Sequence, residues 1–123
     1  MTKARNWGLL SVSAVLALAF AASGITKVIG MQAHVDHFAH WGYPDWFRIF
    51  VGAAEVAGAV GILVPRTSLL ASAGLAVLML GAGYTHLVNG EGNQAPVPLI
   101  LLAMLGYVAW SRRSATVQLA RST

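Results

Sequence analysis

The sequence predicts an all-α integral membrane protein: a four-helix bundle with an outer interfacial helix between helices 1 and 2. Three observations point there. The 123 residues are 57% hydrophobic and only 10% charged, whereas a soluble domain carries roughly 25% charged residues. Four apolar runs occupy about residues 7–30, 46–64, 68–88 and 97–111, and a membrane-spanning helix needs roughly 17–25 residues. Lys and Arg gather at one set of run ends. The length allows one domain, residues 1–123.

The first run begins behind Lys3 and Arg5. That start, with Ala19-Phe20-Ala21 downstream, has the pattern of a cleavable signal peptide. The apolar stretch continues to Gly30, however, so it reads as the first span. The second and third runs are joined by Pro65-Arg66-Thr67, a turn too tight for anything but antiparallel neighbours. Asn89-Gly90-Glu91-Gly92-Asn93 is a polar turn. The fourth run opens with Ala95-Pro96-Val97-Pro98, which suits proline in the first turn of a helix. It is short, and the tail after Arg113 is expected to be disordered.

Residues 28–45 form the one long connection. Within it, HVDHFAH places Met31, Val35, Phe38 and Ala39 on one helical face and Asp36, His37 and His40 on another. That is an amphipathic helix lying in the interface. Its histidines, His34, His37 and His40, drift around the helix and match no HExxH-like signature, so no metal site is expected. Haem is not expected either, because His86 is the only intramembrane histidine.

Lys3, Arg5, Arg66, Arg112, Arg113 and Arg121 fall on one side of the membrane, Lys27 and Arg48 on the other. The positive-inside rule then puts both termini in the cytoplasm, with the plasma membrane (a prokaryotic inner membrane) as the expected location. Trp7 and Trp110 mark the inner interface, Trp41 and Trp46 the outer one. The net charge of +4 is explained by this flanking pattern and does not imply nucleic acid. With no cysteine, the chain itself cannot run a thiol relay, ligate a thiolate iron–sulfur cluster or use a cysteine nucleophile.

Four ionisable residues belong to the spans or their ends: Lys27, Arg48, Glu55 and His86. Such residues are candidates for function by default. Glu55 is deepest, roughly 15 Å from either end of its helix at about 1.5 Å per residue. Helical side chains lean toward their own N-terminus. Lys27 and His86 therefore lean toward the midplane, and Glu55, on a helix running the other way, leans to meet them. A gap of about 10 Å remains between Lys27 and Glu55 on a plain residue count. Arg48, Gly52, Glu55 and Ala59 share one face. Ala53, Ala57 and Gly61, and again Ala54 and Gly58, repeat small residues every four positions, a pattern for close helix packing. Arg48 reads as an interface anchor, His86 taken alone as a helix-end interfacial histidine, and Tyr84 and Asn89 as boundary residues. Two readings of Glu55 stay open: a buried structural partner, paired with Lys27 or protonated, and the working group of a small polar, ligand- or proton-binding cavity, open to the outer face, that also uses Lys27, His86 and Arg48.

Three segments carry a family resemblance: SGITKVIG (23–30), HFAHWGYPDWFRIFVGAAEVAGAVGILVPR (37–66) and GAGYTH (81–86). They resemble the DoxX-like family of small four-helix membrane proteins, over three of the four helices and with the right spacing. Gly24-x-x-Lys27, the WGYP turn at 41–44, Glu55 and the Pro65-Arg66 hairpin are the specific parts. The resemblance implies Lys27 and Glu55 as characteristic positions. It also implies an association with membrane-bound, quinone-linked oxidoreductase complexes, including thiosulfate:quinone oxidoreductase. The expected function is an accessory component that binds a quinone or another lipophilic small molecule near Glu55. The alternatives are a subunit of such an oxidoreductase complex, whose redox partner protein brings the redox centre, and a small oligomeric transporter or scaffold. The chain supplies no cofactor of its own, and whether it is an enzyme stays open. The bilayer is the expected partner, with a homo-oligomer compatible with the small-residue faces.

Overall fold

The computed structural model describes the backbone of residues 3–122 and the side chains of residues 7–113. The side chains of Lys3, Arg5 and Arg121, which count toward orientation, lie outside the described residues. Among the described residues five α-helices follow one another: α1 (Lys3–Val28), α2 (Gln32–Trp41), α3 (Asp45–Leu63), α4 (Ser68–Val88) and α5 (Pro96–Ser122), with one 3-10 turn at Gly92–Gln94. Trp7–Val28, Asp45–Leu63, Ser68–Val88 and Gly92–Arg113 are long and apolar enough to cross a membrane. The expected helix boundaries agree to within a few residues, except at the C-terminal end. There α5 continues to Ser122, where a disordered tail was expected from about Arg113. The stretch Ser114–Ser122 holds no glycine or proline, so nothing in it breaks the helix.

The four spanning helices close into a ring in which α1 packs on α3, α3 on α4, α4 on α5 and α5 on α1. Leu16 and Phe20 of α1, Ile62 of α3, Leu75 of α4, and Leu105 and Val108 of α5 fill its centre and are almost wholly buried. Outside, Leu18, Val60, Leu70, Val77 and Ile100 stand exposed. Water penalises such a surface and lipid does not. The chain is an integral membrane protein. Helix α2 lies at the end of the bundle opposite the Pro65–Thr67 turn, hereafter the α2 end.

Two helix termini shape the α2 end. Helix α2 stops at Gly42, which has φ +83°. Gly42 N–H donates to Ala39 O, and Tyr43 N–H reaches back to Phe38 O. Helix α4 stops in the same way: Gly90 has φ +73°, and Glu91 N–H donates to His86 O. This termination needs a left-handed residue, which glycine adopts without a Cβ penalty. It also folds the residue after the glycine back over the last turn. Tyr43 is thereby set beside Phe38, and Glu91 beside His86. At the other end Thr67 Oγ1 donates to Gly61 O at 2.8 Å, capping α3 inside the tight turn.

The small-residue stripes are used unequally. Gly58 packs on Leu75 and Gly61 on Ala71, so they do seat α3 on α4. Ala53 and Ala57 face outward.

Candidate functional site

The site begins with a backbone contact. A Cβ added at Gly24 would lie 2.5 Å from Gly52 O, and one added at Gly52 would lie 2.7 Å from Gly24 O. Helices α1 and α3 therefore touch backbone to backbone at these two glycines. Lys27 and Glu55 each follow its glycine by three residues, on antiparallel helices. Because both side chains lean toward their own N-termini, they swing back to the level of the crossing. Lys27 Nζ lies 2.8 Å from Glu55 Oε1. The gap of a plain residue count is closed by the glycine contact and the opposed leans together.

The ion pair is sheltered. Glu55 is only 2% exposed, and Lys27 Nζ also donates to Ser23 Oγ. The Lys27–Glu55 contact is close but oblique: Oε1 receives no well-directed hydrogen bond among the described residues. A buried carboxylate usually accepts several, so Glu55 retains unused accepting capacity. Arg48, read from the sequence as an interface anchor, is folded inward. It is buried at 7% exposure, and its Nη1 donates to Lys27 O, the carbonyl of the last turn of α1. Its Nη2 lies 3.9 Å from Asp45 Oδ1. The face predicted for α3 is the buried one: Arg48, Gly52, Glu55 and Ala59 all point inward. Arg48 thus supports Lys27 through the backbone and does not touch Glu55's oxygens directly.

Above the ion pair is a cavity of about 400 Å³. Its lining is mostly apolar and rich in aromatic rings. Phe38 is the buried anchor of α2, tilted against Trp41, Tyr43 and Phe47 at centroid distances of 5.2, 6.0 and 6.3 Å. Lys27 and Glu55 line the same space. On α2 the buried apolar residue is Phe38, with Val35 half-buried, while Met31 and Ala39 are exposed. The amphipathic helix is present, but its packing face is narrower than the sequence pattern suggested.

His86 does not join Glu55. Its Nδ1 lies 3.0 Å from Glu91 Oε1, and the same oxygen accepts from Trp41 Nε1 at 2.9 Å. The Trp41 and His86 rings meet edge to face at 5.4 Å. The turn at Gly90 brings Glu91 directly over His86, and this local partner outcompetes a carboxylate deeper in the bundle. His86 still lines the cavity. The arrangement ties α2 across the bundle to the end of α4. A second tie lies beside it, where Tyr43 OH is 2.9 Å from Thr85 Oγ1. Thr85 Oγ1 itself donates to Gly81 O, so Tyr43 is the donor to Thr85.

Two groups outside the spanning helices titrate away from their ordinary values. The hydrogen bond from His86, then that from Trp41, holds the Glu91 carboxyl low. Burial, then the positive charge of Lys27, pushes the His34 imidazole down. His34 Nε2 lies 2.9 Å from Thr26 Oγ1, whose own proton goes to Ala22 O, so His34 is the donor there. Among the described residues no three His, Asp or Glu side chains gather to hold a metal ion.

Sequence reasoning missed Tyr43, Thr85, Trp41 and Glu91 as parts of the site. The only hint was the WGYP turn itself, four residues that place a tryptophan and a tyrosine on either side of a left-handed glycine.

A family model, the DoxX-like family, matches residues 11–108. An uncharacterized protein of Bacillus subtilis (strain 168), YdgD, is 32% identical over 99 residues, covering 73% of this chain and 87% of that protein. No solved structure matches significantly. The match extends over all four spanning helices and takes in the glycine crossing, the Lys27–Glu55 pair and the WGYP turn: this chain belongs to the DoxX-like family.

Proposed function

We propose that this protein is an accessory membrane component whose cavity beside Glu55 binds a quinone or another lipophilic small molecule. One observation carries the reading: a mostly apolar, aromatic-walled cavity of about 400 Å³ with a sheltered Lys27–Glu55 pair on its lining. Small-molecule sites are typically of this kind, apolar pockets of roughly 300–1,000 Å³ with a few placed polar groups. Lys27 offers N–H donors to a carbonyl. Glu55 offers an acceptor to a hydroxyl, with Oε1 free of a well-directed donor. The pair can thus hold either the oxidised or the reduced form of a ring that exchanges C=O for C–OH.

Orientation is part of the proposal. Arg66, Arg112 and Arg113 lie at the end away from α2, which the positive-inside rule places in the cytoplasm. The cavity then sits in the outer half of a prokaryotic inner membrane. Native mass spectrometry of the protein released from lipid nanodiscs tests the ligand reading. The wild-type chain is expected to retain a small-molecule adduct that Glu55→Gln and Lys27→Met lose. Equal retention of quinone or lipid by all three overturns the reading.

A further inference from the structure

The cavity is closed on two opposite sides along α3 and α4. Toward the α2 end, the Tyr43–Thr85 hydrogen bond joins the α2–α3 corner to α4, and the Trp41–Glu91–His86 tie lies beside it. Toward the other end the helices touch: a Cβ on Gly58 would lie 2.6 Å from Leu75 Cγ, and one on Gly61 would lie 2.8 Å from Ala71 Cβ. Between these closures the cavity separates Phe47 and Val51 of α3 from Leu78 and Ala82 of α4.

Val77, Gly81 and Tyr84 line the same cavity. Their spacings of four and three make one stripe of α4. Yet Val77 and Tyr84 are each 67% exposed. Residues that border a cavity and also face outward mark its mouth. On a spanning helix, outward means lipid.

We infer that the cavity opens sideways into the bilayer through a window between α3 and α4. We infer also that its occupant is drawn from the membrane: a neutral, ring-bearing head on an apolar tail. The identity of the occupant rests on the ligand reading above; the window does not. The chemistry of the head follows from its surroundings. Lys27 and Glu55 compensate each other, so a head with a full charge would arrive without a counter-charge in a water-poor site, which is costly. A neutral head with both accepting and donating oxygens suits the pair. A flat ring suits Phe38, Tyr43 and Phe47, since aromatic faces and edges stack favourably. The tail leaves through the window, where Val51 and Val77 offer it an apolar frame.

The chain has no cysteine, so a single Ala82→Cys bearing a nitroxide reports on the window in ligand-free vesicles. Ala82 is half-buried at the edge of the cavity. Power saturation is measured with oxygen, which concentrates in lipid, and with a water-soluble nickel chelate. The expected result is strong relaxation by oxygen and little by nickel. Gly81→Phe should then remove most of the oxygen effect. No heavy atom beyond its own helix lies within 4 Å of a Cβ at Gly81, so the ring can stand in the window without a clash at its base. Relaxation mainly by nickel means a mouth open to water. Relaxation by neither means a sealed cavity. Either result overturns the window while leaving the adduct experiment to decide the ligand reading. Val51→Cys, on the opposite side of the window, gives the same readout if the Ala82 variant does not fold.

Discussion

Breaking the Lys27–Glu55 pair from one side should destabilise the protein far more than removing both charges. At 2.8 Å and an effective dielectric of about 20, the attraction is about 6 kcal/mol by Coulomb's law. Desolvating both groups offsets much of that, so the intact pair is worth little against an uncharged replacement. Losing one partner is different. Glu55→Gln leaves Lys27 with only Ser23 and the cavity. Lys27→Met leaves Glu55, at 2% exposure, with no cation beside its carboxylate. Each single change is expected to cost about 3 kcal/mol, at the low end of the range for breaking a buried pair. The double variant Lys27→Met/Glu55→Gln should cost no more than either single, a coupling of about 3 kcal/mol. The assay is a double-mutant cycle on reversible unfolding in lipid bicelles, followed by far-UV circular dichroism. Costs that simply add, to within about 0.5 kcal/mol, would refute the view that these side chains compensate each other.

Four further outcomes are expected. Gly52→Ala places a Cβ 2.7 Å from a backbone oxygen of α1, so it should force the crossing apart and cost about 1–3 kcal/mol. Gly74→Ala, with nothing within 4 Å, should stabilise by about 0.5–1 kcal/mol through helix propensity; thermal melts of the two compare them directly. Arg48→Met removes the charged donor to Lys27 O and should cost about 1.5–3 kcal/mol, checked in the same melts. Glu91 and His34 both have folded-state values below their ordinary ones. Each therefore contributes stability that is present above its unfolded value, 4.5 for Glu91 and 6.5 for His34. That contribution is lost as pH falls through the folded one. Melting temperature should drop in two stages on acidification, and Glu91→Gln should abolish the lower stage alone. An unchanged acid profile in that variant would remove Glu91 from the account.

Part of the site is legible in the sequence. The buried face of α3 followed from spacings of four, three and four. The lean of helical side chains pointed Lys27 and Glu55 toward each other but left a gap of about 10 Å on a plain residue count. What was not legible involved partners chosen locally or at long range. His86 read either as a helix-end interfacial histidine or as a cavity group beside Glu55, because nothing in the periodicity says that the Gly90 turn returns Glu91 onto it. Arg48 looked like an anchor because its position at a helix start is ambiguous. Only the carbonyl at the end of α1, 21 residues earlier in the chain, makes it a buried support.

The sequence by itself determined that this is a four-span membrane bundle, and approximately where each span begins and ends. Lipid imposes that order: a spanning backbone must satisfy its own hydrogen bonds, so length and apolar composition suffice to mark it. The tertiary structure alone decided the ring order of the helices, the direct contact between Lys27 and Glu55, and the tie from Trp41 to Glu91 across 50 residues. It also decided that α3 and α4 touch at Gly58 and Gly61 and together line a cavity nearer the α2 end. Each of these depends on groups brought together from different helices, as where Gly24 and Gly52 let two backbones touch, a juxtaposition that no single helix's pattern contains.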